Sequence, residues 1–113
     1  MNYITFEVAN KSYKLRLNTR NIVLLEKQLG CNPLSVFGNG DTVPTITTMV
    51  AILHASLQQY NHGITLNDAY DIFDDYVAEG HNAVEFIPTI IEIYKASGII
   101  PDDTKVEDNG KNA

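Results

Sequence analysis

Residues 3–17 read Tyr3-Ile4-Thr5-Phe6-Glu7-Val8-Ala9-Asn10-Lys11-Ser12-Tyr13-Lys14-Leu15-Arg16-Leu17. Ile4, Phe6 and Val8 alternate with Thr5 and Glu7, and Tyr13, Leu15 and Leu17 alternate with Ser12, Lys14 and Arg16. Two alternating runs joined by a short polar turn at Asn10-Lys11 predict a β-hairpin over 3–17. A lone hairpin is marginal in water, so its apolar face must be covered by the rest of the chain. That remainder reads as helix. The expected class is therefore α+β, an N-terminal β-hairpin with a small bundle of about four helices.

Asn18 or Thr19 can cap a helix over about 19–29 that carries Ile22, Leu25 and Leu29, with Val23 and Glu26 beside that stripe. Gly30 suits the position just past its end. Asn32-Pro33-Leu34-Ser35-Val36-Phe37 predicts one short helical turn over 33–37, and Gly38-Asn39-Gly40-Asp41 a loop. Ile46, Met49, Val50, Leu53, Leu57 and Tyr60 share one face of a helix over 45–60. Thr65 and Asp68 resemble a capping box for a helix over 66–79 with Ala69, Ile72, Phe73, Tyr76 and Val77 inside. Asn82 and Glu85 form a second such pair, opening a helix over 83–97 that carries Phe86, Ile87, Ile90, Ile91, Ile93 and Tyr94. Pro88 predicts a kink or a delayed start there. Residues 1–98 are expected to form one globular domain and 99–113 a disordered acidic tail.

The 113 residues suffice for one domain, which buries roughly 65% of its unfolded surface. No apolar run approaches the roughly 20 residues of a membrane span, and the N-terminus has no secretory pattern. No membrane association is expected, and the cytosol is the expected compartment. The net charge of -6 is uneven: residues 1–30 carry five bases and two acids (+3), residues 31–113 three bases and twelve acids (-9). An acidic chain repels phosphate backbones, which argues against nucleic-acid binding. The basic start has two readings, a seat for an acidic partner or internal pairing with the acidic remainder, of which the second is preferred.

No residue pattern points to catalysis, and no cofactor is expected. Cys31 is the single cysteine, so an internal disulfide is excluded, and no general base stands near it in sequence. His54, His62 and His81 lack ligand spacing, and a metal site needs three or four converging ligands. Asn10-Lys11-Ser12 matches a glycosylation acceptor, which has no meaning without export. Asp68, Asp71, Asp74 and Asp75 share a helix face. A solvated surface is its plain reading, and an acidic docking face for a basic partner, carried by Asp68, Asp71 and Asp75, is the other. Of the ten aromatics, Tyr3, Tyr13, Tyr60 and Tyr94 lie near element ends, where a ring can pack while its hydroxyl stays wet. These four are the candidates for a partner surface.

The Leu25-Glu26-Lys27-Gln28-Leu29-Gly30 element, the Thr65-Leu66-Asn67-Asp68-Ala69 helix start and the order of hairpin, helix, short turn and three helices over residues 3–98 carry a resemblance. The chain resembles the tail assembly chaperones of long-tailed phages and prophages of Gram-positive hosts, and the related small proteins of gene transfer agents. The resemblance implies a protein that binds the tape measure protein, keeps it soluble and helps recruit tail tube protein subunits, with self-association of the domain. It implies location in the host bacterial cytoplasm, absence from the mature virion and no catalytic residues. It also implies a longer product made by ribosomal frameshift. Lys111-Asn112 can be encoded within the slippery heptamer A AAA AAC. Two rival readings stand beside it: a structural head–tail connector or minor tail protein, and a small regulatory domain binding DNA or protein. Asp68 to Asp75 on the helix argue against groove reading in DNA.

Overall fold

A computed structural model describes residues 2–37 and 43–102. Strands β1 (Ile4–Val8) and β2 (Lys11–Leu15) pair antiparallel, with Ile4 opposite Leu15, Phe6 opposite Tyr13 and Val8 opposite Lys11. This register places the turn at Ala9-Asn10, one residue earlier than the sequence suggests. Both turn residues are left-handed, with φ of 54° and 63°. Such a two-residue turn matches the twist of the strands, but an alanine there is strained by about 1–2 kcal/mol. Glu79 compensates by accepting the Ala9 N–H through Oε2 at 2.6 Å. The double substitution A9N with N10G supplies the residue types that this turn favours. It is expected to add about 1 kcal/mol, raising the melting temperature by about 4–8 °C in calorimetry. An unchanged or lower melting temperature would show that the turn is not strained.

Four helices follow among the described residues. Helix α1 (Thr19–Leu29) starts at Asn18, whose side chain accepts the Asn21 N–H at 2.9 Å, and stops at Gly30 in the left-handed conformation. A 3₁₀ segment spans Pro33–Phe37. Helix α2 (Ile46–Leu57) is capped by Thr45 and ends three residues short of the predicted limit. Gln58 redirects the chain there, bonding the carbonyls of His54 and Ile64 through its amide. Helix α3 (Leu66–Ala78) carries the anticipated capping box of Thr65 and Asp68. The second box, Asn82 with Glu85, opens a 3₁₀ turn at Ala83–Glu85 before α4 (Phe86–Ala96). The delayed start expected from Pro88 is therefore found: the proline lies in the first turn of α4, where its missing N–H leaves no bond unmade.

Both α1 and α3 pack on α2, which is buried on nearly every side. Met49, Val50, Leu53 and Leu57 form the expected stripe, but Ile52, Ala55 and Ser56 are buried too. Ser56 satisfies its hydroxyl on the Leu53 carbonyl, and its own carbonyl accepts the Arg16 N–H at 2.9 Å. The hairpin's apolar face is closed by a cluster of rings: Phe6 lies 5.3 Å from Tyr76 and 5.6 Å from Phe86, and Phe73 lies 5.4 Å from Phe86. Leu17 donates its N–H to Ser97 Oγ at 2.8 Å, fastening the end of the hairpin to the end of α4.

Three expected core positions are exposed: Ile46, Tyr60 and Val77. Ile46 and Val77 lie at the margins of their helical stripes, and Tyr60 lies beyond the end of α2. The boundary at residue 98 moves outward. Ile99 and Ile100 pack against the core, with their N–H groups directed to the Tyr94 carbonyl, so the domain continues through them. The remainder of the expected tail from 103 onward, Lys111-Asn112 included, and the loop at Gly38 to Asp41 lie outside the described residues.

Candidate partner-binding surface

Hairpin and α3 meet at an angle that leaves a groove between them. Val8 and Ile72 form its apolar floor, Tyr13 and Ile64 its half-buried flanks, and Asp68, Asp71 and Asp75 one wall. Lys11 also lines the groove. The helical spacing of three and four residues sets the carboxylates in line along α3. The pleat puts Val8 and Tyr13 on the covered face of the hairpin, beside Ile72.

Asp68 has a second duty. It accepts the Thr65 N–H at 2.9 Å while its own N–H bonds the Thr65 hydroxyl at 3.0 Å. The Thr65 backbone bond, then the hydroxyl, holds its carboxyl below the usual carboxylate range. The wall's first charge is thus fixed in place by the helix cap. At the opposite end of α3, His81 stacks on Tyr76 at 4.4 Å and bonds Glu85 at 3.1 Å. That bond is the main reason the Glu85 carboxyl titrates below its ordinary value, while burial pushes the Tyr76 phenol up.

The four tyrosines singled out from sequence have three different fates. Tyr13 joins the carboxylates in the groove. Tyr3 and Tyr60 meet each other edge to face at 5.4 Å, with the Lys14 ammonium 4.9 Å from the Tyr3 ring centre and 5.8 Å from that of Tyr60. They form a separate small patch beside the hairpin. Tyr94 is no surface residue. It is fully buried, its ring packs edge to face on Phe37, and its hydroxyl donates to the Pro33 carbonyl at 2.9 Å. Desolvation, and secondarily Cys31, pushes its phenol far up. The hydroxyl that the sequence reading expected to stay wet finds its partner in protein, because the 3₁₀ segment folds over α4.

The preferred internal pairing of the basic start is not found among the described residues. Among the described residues, none of the five bases in residues 1–30 joins an acid, while His81 pairs with Glu85 and Lys95 with Glu92 elsewhere in the fold. No group of three or more His, Cys, Asp or Glu among the described residues could hold a metal, and no described helix is long and apolar enough to cross a membrane.

Sequence reasoning missed Val8 and Ile72 as a shared floor and Ile64 as a flank. Ile72 and Val8 read only as core, and Ile64 follows Gly63 with no pattern of its own. It also passed over Leu24, which stands with Val23 off the Ile22, Leu25, Leu29 stripe and is exposed.

The architecture is α+β, a two-stranded antiparallel hairpin followed by four helices. The chain belongs to DUF6096, a family of unknown function, whose family model matches residues 3–111. No curated protein and no solved structure matches the chain.

Proposed function

We propose that the protein is a tail assembly chaperone that holds the tape measure protein by amphipathic helical segments with basic flanks. The observation that supports this most is the hairpin–α3 groove, an apolar floor walled by three carboxylates. An apolar stripe on an incoming helix would cover Val8 and Ile72, and its flanking lysines or arginines would meet Asp71 and Asp75. A groove this small gives weak binding per site, which suits many copies acting along one long partner. The acidic chain keeps the assembly soluble. Recruitment of tail tube protein belongs to the same reading.

Coexpression with a tape measure protein, with the chain tagged, tests it. The tape measure should become soluble and copurify. Tyr13→Ala and Asp75→Lys should each weaken capture roughly tenfold while the circular dichroism spectrum is unchanged. An insoluble tape measure, capture indifferent to both changes, or the chain itself within purified particles would overturn the proposal. The last outcome would favour a structural head–tail or minor tail component.

A further inference from the structure

Helix α3 carries its carboxylates between two apolar grooves. On the hairpin side lies the groove floored by Val8 and Ile72. On the α2 side a second groove is lined by Ile46, Tyr70, Phe73 and Val77, with Ile46 55% exposed and Tyr70 and Val77 each 43%. Exposed apolar side chains grouped in this way mark interaction sites. At about 100° per residue, Asp68 and Asp75 turn toward the hairpin and Tyr70 and Val77 toward α2. Asp71 and Asp74 stand on the crest between them, opposite the buried Ala69, Phe73 and Tyr76. Asp71 lines both grooves. It lies three residues from Asp68 and Asp74 and four from Asp75, spacings at which like charges on a helix repel. Among the described residues none of these four acids joins a base.

We propose that α3 seats between two helices of a single partner, one helix lying in each groove and the basic seam of the pair lying over Asp71 and Asp74. Two grooves flanking one helix are about a helix diameter apart, roughly 10–12 Å. Two helices packed side by side have axes about 8–10 Å apart, so a packed pair can straddle α3. A lone helix in the hairpin–α3 groove would leave Ile46, Tyr70 and Val77 bare and would meet the crest from one side only. A pair covers both apolar edges, and lysines or arginines along its seam neutralise the crest from above. Charge complementarity selects the basic character of that seam. The inference deepens the proposed function: it rests on that reading for the hairpin–α3 groove as a binding site and adds that the partner presents helices in pairs.

Calorimetric titration of the full chain with two synthetic probes is the test. One probe is a two-helix peptide with a leucine stripe on each helix and lysines along the seam, and the other is one of its helices alone. The two-helix peptide should bind at least roughly tenfold more tightly, because its second helix docks as an intramolecular step. Ile46→Asp with Tyr70→Ala alters only the α2 side, and Tyr13→Ala only the hairpin side. Each change should bring the two-helix peptide down to about the affinity of the single helix. Ile46 is exposed in the first turn of α2, where an acid suits the helix end, and circular dichroism confirms that the variants fold. Equal affinity for the two probes, no binding of the two-helix peptide, or binding indifferent to the changes on either side would overturn the inference. Tight binding of the two-helix peptide beside a tape measure protein that stays insoluble would defeat the proposed function alone. Capture of the tape measure that Tyr13→Ala weakens and Ile46→Asp with Tyr70→Ala leaves unchanged would defeat this inference alone.

Discussion

Tyr94→Ala is expected to cost about 3–5 kcal/mol, the range for truncating a large buried aromatic. A domain of this size has about 5–15 kcal/mol of stability in total, so the variant should be barely folded. Tyr94→Phe separates the two contributions of the side chain. It keeps the ring against Phe37 and removes only the hydroxyl, with its bond to the Pro33 carbonyl. That loss is expected to amount to about 0.5–1.5 kcal/mol. Urea unfolding followed by circular dichroism measures both, through the shift in midpoint. A tyrosine serving a partner surface would show the opposite pattern, with near-normal unfolding and lost binding. If Tyr94→Ala unfolds at the wild-type midpoint, the burial described for it is wrong.

Phe86→Ala is the second large effect, again about 3–5 kcal/mol. Phe86 is fully buried and meets the rings of Phe6, Phe73 and Tyr76, which come from β1 and α3. Edge-to-face pairs of this kind each contribute about 0.5–1.5 kcal/mol beyond the area they cover. The hairpin has no third strand among the described residues, so it depends on this cluster for its apolar cover. Native-state hydrogen exchange should accordingly show the β1 and β2 amides losing protection together with those of α4 in the variant. Hairpin amides that stay protected while α4 exchanges would mean that the cluster does not join them.

Local features of the fold were legible, and those that depend on encounter were not. Alternation over 3–17, the caps at Asn18 and Thr65, the stop at Gly30 and the delay at Pro88 each follow from residues within a few positions of one another. The turn lies one residue earlier than the alternation suggests, with the Ala9 N–H held by Glu79, seventy positions away. Helix α2 reads as one stripe, yet its other sides are buried as well, since α1 and α3 both pack upon it. Tyr94 and Val77 exchanged roles for the same reason: periodicity says which side chains share a face, and only the neighbouring element decides whether that face is covered. Of the candidate surface, the sequence showed Tyr13 and the aspartates as separate candidates. Their meeting in one groove depends on the packing of hairpin against α3.

The bond from the Leu17 N–H to Ser97 Oγ spans eighty positions, and the contact of Phe6 with Phe86 spans as many. During synthesis at about 5–20 residues per second, the first strand pair would wait roughly 4–16 s for the helix that shelters it. For that interval Ile4, Phe6 and Val8 face the cell without their aromatic roof. Strands of five residues offer a short template for stray pairing, and the lysines at positions 11 and 14 discourage it further. The nascent chain is thus most vulnerable at its beginning, and its last helix completes the protection.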